Sequence, residues 1–366
     1  MINNPFEVLK TLDREELEGN EIKKYEGHPQ FEIIKKAIRK EKLSVEEQIE
    51  YLKFKGVTFI HTSESEAKAH LKESTYYYKV TAFRKNFFKN EDSKYNTLDF
   101  ASIRDLATID MHLRYILFKL SLDIEHSIKT KVINLITLSD EDGYTIIDEY
   151  DAYQLNNLVS KESDDQKKRK IKDEYVTVVQ NTMKDTKNPK GYHKDLYDKH
   201  HERPSIWVLI ELMSYGALAS FIKFYVDREK FGYKQLKDAS DFIHYSKNIR
   251  DSAAHSRPIL FNIIGPEQFF IRHPKLKIKN YLIDLGIPKP QANNNLKNVK
   301  THDLVSILYL HDKYVKGNKA RRERKKELIS FMKRAKREME IYSDPELQHF
   351  KEVLMIFCIT IIKFKY

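Results

Sequence analysis

The 366-residue chain has one cysteine, Cys358, so neither a disulfide framework nor a cysteine-based zinc centre can form within a single copy. Glycine and proline are scarce at ten each, about half of ordinary usage. With so few breakers, long helices are favoured over many short strands. Long apolar runs are also missing. The most apolar stretch, residues 353–362, spans ten residues where a membrane-crossing helix needs about 20, and it reads as a buried terminal helix or strand. The opening MINNPFEVLKTLDREELEGN lacks the basic and apolar regions of a secretion signal. A cytoplasmic chain without a membrane partner is expected. No Walker loop, GxGxxG, HExxH, nucleophile elbow or EF-hand occurs, which removes the common NTPase, dinucleotide, metalloprotease and hydrolase readings.

Positive charge is abundant. The 65 Lys and Arg outnumber 54 Asp and Glu, giving +11 and a pI near 9.2, so polyanions are the expected partners, nucleic acid before an anionic membrane. The length exceeds what one core usually serves, which predicts two structural units or one enlarged by extensions. Composition divides the chain into an N-terminal extension (1–43), a helical domain (44–262) and a basic, mainly helical C-terminal region (263–366).

The fold class expected is all-α. Ser44 with Glu47 forms a capping-box pattern ahead of a helix over about 45–55, with Gly56 as its stop. A short β-like run follows at VTFI, then Ser63 or Ser65 caps another helix. The aromatic cluster Tyr76, Tyr77, Tyr78, Phe83, Phe87 and Phe88 suits core packing or base stacking. Ile103, Leu106, Leu113, Leu117, Leu120, Ile124, Ile128, Val132 and Leu135 repeat at helical steps and predict a central helix over about 100–137. Asp110, Arg114, Ser121 and Glu125 make a polar stripe on it, read either as a groove or as an ion pair on a solvated face. A helix near 166–184 is expected next. His193, His200 and His201 fit no common zinc spacing. One helix is expected through SIWVLIELMSYGALASFIKFYVDREKF, with Gly216, Ala217, Ala219 and Ser220 allowing close approach of a neighbour. Another runs over 236–256 until Pro258. Residues 263–283 read as loop or short strand, followed by a helix at THDLVSILYLHDKYV. Between 319 and 337 ten basic residues face two acidic ones. Arg321, Arg322, Arg324, Lys325, Lys326, Lys333, Arg334 and Arg337 are there as candidate RNA contacts, or as a solvated helix face.

Chemistry in this chain must use Arg, His and carboxylates. RNA cleavage can do so without a metal or cofactor, because the ribose 2′-OH is the nucleophile, a histidine can move its proton, and an arginine can hold the phosphate. Arg250 and His255, separated by four residues, resemble the RxxxxH signature of the HEPN superfamily of ribonucleases. Around them, EQIEYLKFKGVTF, TYYYKVTAFRKNF, DMHLRYILFKLSLDIEHSIK, PSIWVLIELMSYGALASF and NIRDSAAHSRPILFN are similar, in order, to the Abi abortive-infection family of AbiD/AbiF-like phage-defence proteins. The resemblance covers about 44–262. It implies a HEPN-like helical bundle and an RNA-degrading or RNA-binding toxin-like role, with two units often paired into one active site. Carried over, Arg250 and His255 are the catalytic pair. Asp251 stands where the family often has Asn, adding charge beside the phosphate. Arg114 and Glu125 match family positions, with Asp110 and Asn248 as further supporting residues.

Residues five apart point about 140° from each other on a straight helix, so Arg250 and His255 need a long arginine, a helix end or a second protomer to converge. With one such motif and no repeat, a homodimer is expected. The expectation is a metal-independent endoribonuclease of phage defence. Its alternatives are a non-catalytic RNA-binding protein assembled with or inhibited by a regulatory or antitoxin RNA, and a protein-only sensor.

Overall fold

A computed structural model describes residues 17–87, 89–187, 191–261 and 273–337. Among these residues every regular element is helical, and the fold is all-α. The β-like run reduces to an isolated bridge between Thr58 and Asp99. Phe88, residues 263–272, the apolar run 353–362 and Cys358 lie outside the described residues, as do the first sixteen. No described helix is long and apolar enough to cross a membrane. The chain divides into two compact units that are discontinuous in sequence. Within the described residues, the first takes 17–113, 258–261 and 330–337, and the second 114–257 and 273–329.

The first unit contains α1 (Phe31–Ile38), α2 (Val45–Phe54), α3 (Glu64–Glu73), α4 (Tyr77–Thr81) and the opening of α5 (Phe100–Thr137). The start of α2 is written locally, since the Ser44 side chain accepts the Glu47 N–H while the Glu47 carboxylate accepts the Ser44 N–H. Ser63 and Glu66 repeat the device at α3. Gly56, at φ 84°, is required where it stands, because a Cβ there would lie 2.2 Å from the Tyr95 carbonyl oxygen. Thr58 and Ile60 are tied to Asp99, whose Oδ2 accepts from the Thr58 hydroxyl at 2.8 Å and the Ile60 N–H at 2.7 Å. Of the aromatic cluster, Phe83 is core, while Tyr76 and Tyr78 are exposed.

The second unit holds the remainder of α5, then α6 (Thr145–Val159), α7 (Asp165–Asp173), α8 (Val178–Met183), α9 (Lys194–His200), α10 (Ile206–Leu212), α11 (Tyr215–Asp227), α12 (Lys237–Ala254), α13 (Leu276–Asp284), α14 (Lys289–Asn295) and α15 (Val299–Tyr314). Residues to 329 of α16 (Asn318–Lys336) belong here too. The periodic apolar residues of α5 are buried along its whole length, as their spacing predicts. α12 lies between α11 and α15, burying Ala239, Phe242, Ile243 and Ile249.

Three expectations are corrected in this unit. The helix expected from Pro204 to Phe231 is two, because Met213 turns to extended backbone and the Ser214 hydroxyl caps α11 by accepting the Ala217 N–H. The helix expected over 166–184 is likewise two, with Thr177 and Gln180 forming a capping box that starts α8. Residues 276–284, read as loop or strand, are helical.

Candidate functional site

The site builds on the C-terminal end of α12, and that end stops before the proline credited with stopping it. The Ser256 N–H bonds to the Ala253 carbonyl and the Arg257 N–H to the Ser252 carbonyl, at 3.2 and 2.8 Å. Ser256 is left-handed at φ 53°. This is a Schellman closure in which serine occupies the position that usually belongs to glycine. It makes His255 the capping residue of α12, at φ −91° and ψ 14°, with its ring exposed. Among the described residues neither His255 nor Arg257 has a side-chain hydrogen bond or ion pair. Of the routes to convergence considered for Arg250 and His255, the helix end is therefore present, although the two side chains share no bond within the chain.

One turn earlier, Arg250 is part of a packed polar cluster. Its guanidinium lies over Phe118 of α5, 5.9 Å from the ring centre, and its Nη1 donates to Asp251 Oδ1 at 3.2 Å. Its Nε is buried and has no acceptor among the described residues. Lys247 reaches the other carboxylate oxygen of Asp251 at 2.5 Å. Burial pushes the Asp251 carboxyl up, but the hydrogen bonds and charges of Lys247 and Arg250 outweigh it and hold the group below the usual range. The Lys247 stem crosses Gly216 of α11, where a Cβ would sit 3.0 Å from Lys247 Cε. The small residue expected to admit a neighbouring helix therefore admits this side chain. Beneath the cluster, Tyr215 and Ser246 share a 2.7 Å hydrogen bond. Ser246 gives its proton to the Ile243 carbonyl, so Tyr215 donates, and burial keeps the phenol protonated. Asn248 donates to Asp303 of α15 at 2.9 Å. Lys247, Tyr215, Ser246 and Asp303 were not singled out by sequence. The i, i+4 spacing of Lys247 with Asp251 was the one local signal available.

The polar residues of α5 make the following contacts. Asp110, fully buried in the first unit, accepts the Ile259 and Leu260 N–H groups at 2.7 Å each, anchoring the backbone shortly after the motif in sequence. Ser121 bonds back to the Phe118 carbonyl. In the second unit Arg114 is buried, and Glu125 pairs with Lys129 at 3.1 Å, which in turn donates to the Glu211 carbonyl.

On α16 the cations divide. Arg321 pairs with Asp312 at 2.5 Å, Arg324 with Asp123 at 3.1 Å and Glu327 at 2.5 Å, and Arg334 with buried Asp105 at 2.5 Å. Lys326 meets Glu323 at the surface. Arg322 is exposed and Lys325 half-buried. Lys333 and Arg337 are exposed and have no ion pair among the described residues. Asp123 also accepts from His311 at 3.3 Å. Burial outweighs that carboxylate and holds the imidazole below the usual histidine range, so it is neutral and donates through Nε2.

Among the described residues no three His, Cys, Asp or Glu side chains are grouped to hold a metal ion. His201 stacks on Tyr197 at 4.4 Å instead. Compared with known families, residues 69–262 match the model described as Abi-like protein. No curated protein and no solved structure matches the chain.

Proposed function

Since the chain belongs to the family of Abi-like proteins, we propose that it acts in abortive infection as a metal-independent endoribonuclease of HEPN type, with Arg250 and His255 as its reacting pair. Family membership supports the defence role. The enzymatic reading rests chiefly on Arg250, which pairs with its neighbour Asp251, itself shared with Lys247, while the side chain keeps 28% of its surface open one turn before the exposed His255. A partly open guanidinium is suited to an oxyanion from outside, and RNA supplies one at every linkage.

In the proposed reaction the 2′-oxygen bonds to the adjacent phosphorus and the bond from phosphorus to the 5′-oxygen breaks. The products are a 2′,3′-cyclic phosphate and a 5′-hydroxyl. One proton leaves the 2′-OH and one must reach the leaving oxygen. His255, exposed at the helix end, performs one transfer, and the same residue of a second copy performs the other. Arg250 holds the phosphate and offsets its growing charge. Asp251 sets the direction of the guanidinium, with Lys247 absorbing part of its negative charge. A homodimer is therefore part of the proposal, and the absence of a bond between Arg250 and His255 within one chain favours it.

The test is to express the wild type, Arg250→Ala and His255→Ala and to score growth arrest and RNA integrity. Loss of both effects in both variants is expected. RNA binding without cleavage by any form, including during phage challenge, selects the non-catalytic alternative. Mixing wild-type with His255→Ala chains addresses the dimer, since a fully active monomer rules it out.

A further inference from the structure

A second concave site lies in the same unit as α12, on the far side of α5. Phe118, Glu125 and Lys129 define the stripe of α5 turned to Arg250 and its neighbours. At 100° per residue, Ser127, Thr130, Lys131 and Asn134 project roughly 120–220° away from that stripe. They form one wall of a groove of about 810 Å³, closed by Gln235 and by the turn from α15 into α16. The size is that of a small-molecule site.

The charges in this groove do not cancel. Its one acid, Asp123, is already engaged by Arg324 at 3.1 Å and His311 at 3.3 Å. Lys313 is held by Asp238, which also binds Lys277 and accepts the Tyr309 hydroxyl. That leaves Lys131 on the α5 wall, half-buried and without a carboxylate among the described residues, and Lys316 on the facing turn. Lys316 reaches only the Asp312 carbonyl, at 3.4 Å. The lining also carries the amides of Asn134 and Gln235, the hydroxyls of Ser127 and Thr130, and the exposed apolar side chain of Leu122.

We propose that this groove binds a free nucleotide, with Lys131 and Lys316 on its phosphates and the base against Leu122. A phosphate alone would use the lysines but leave the apolar wall wet; an apolar ligand would leave two cations unanswered. Asn134 and Gln235, whose amides each carry donor and acceptor, suit the edge of a base. The reading does not depend on RNA cleavage at Arg250.

The test titrates the full chain at low salt with ATP as probe, using calorimetry, and repeats the titration with tripolyphosphate. Saturable binding of one ATP per chain is expected, with tripolyphosphate about tenfold weaker or more. Lys131→Glu and Lys316→Glu are each expected to weaken ATP by at least about tenfold. Lys131→Gln and Lys316→Gln, which do not reverse charge, should weaken it less and serve if a Glu variant fails to fold. Arg250→Ala is expected to bind ATP as the wild type does. No saturable binding, equal affinity for tripolyphosphate, indifference to both lysine substitutions, or loss of binding only in Arg250→Ala would each overturn the proposal.

Discussion

The end of α12 and the basic helix α16 each present closely spaced cations, and in sequence both read as surfaces for phosphate. Folding treats them differently. On α16, Arg321, Arg324 and Arg334 each find a carboxylate within the chain and spend their charge on holding helices together. At the end of α12, Arg250 pairs with its chain neighbour Asp251, an acid it shares with Lys247, and His255 and Arg257 stand exposed beyond the last helical turn. The density of positive charge is higher on α16, but three of its arginines are committed to acids of the fold. Counting basic residues thus measures the supply of charge. What remains for a ligand depends on which acids the fold brings alongside.

This contrast can be broken or sharpened by experiment. The largest effect is expected at Arg250, where replacement by Ala should lower the proposed RNA cleavage about 10²–10³-fold with little change in the urea midpoint. A midpoint falling as far as activity would mean that Arg250, like Arg334, is structural. Next is Asp105→Ala, which strands the Arg334 guanidinium and should destabilise the protein by about 3 kcal/mol in equilibrium unfolding. An unchanged unfolding curve would place Arg334 among the available cations. His311 makes stability depend on pH. Its folded-state affinity for a proton is depressed by burial, so its contribution is intact above the ordinary histidine pKa of about 6.5 and is lost as pH falls towards the folded value. Between pH 7.5 and 5 the wild type should lose more stability than His311→Gln; parallel losses would contradict the assignment. Ser256→Gly should stabilise the end of α12 by about 0.5–1 kcal/mol by relieving the left-handed serine. A loss of stability would mean that the serine side chain contributes more than its backbone strain costs. Smallest is the salt dependence of RNA binding. Lys333→Gln and Arg337→Gln should each reduce the slope by less than about 1 if α16 touches RNA at all.

What could be read in the sequence was what depends on near neighbours. The cap of α2 was legible because Ser44 and Glu47 are three residues apart and satisfy each other's backbone groups. The track of α5 was legible because its apolar residues recur with the period of the helix and are all buried. The break between α10 and α11 was not, since the apolar run masks a serine that caps when the backbone turns extended just before it. In the candidate site, the motif itself was local and could be found. The partners that decide its electrostatics were partly hidden. Lys247 lies one turn from Asp251 and was within reach of inspection, whereas the acid that neutralises Arg334 is 229 residues away. Asp110 was seen as part of a stripe, yet its role is to hold backbone N–H groups about 150 residues downstream. No helical periodicity encodes that pairing.

The most direct test is the chemistry of the ends produced when the purified full-length protein meets a defined RNA oligonucleotide, alongside the same sequence carrying 2′-deoxyribose at the cleaved positions. A 2′,3′-cyclic phosphate is predicted from the ribose substrate with the wild type, with none from the deoxy substrate and none with His255→Ala. Cleavage of the deoxy substrate, or equal cleavage by His255→Ala, would contradict the assignment of this site.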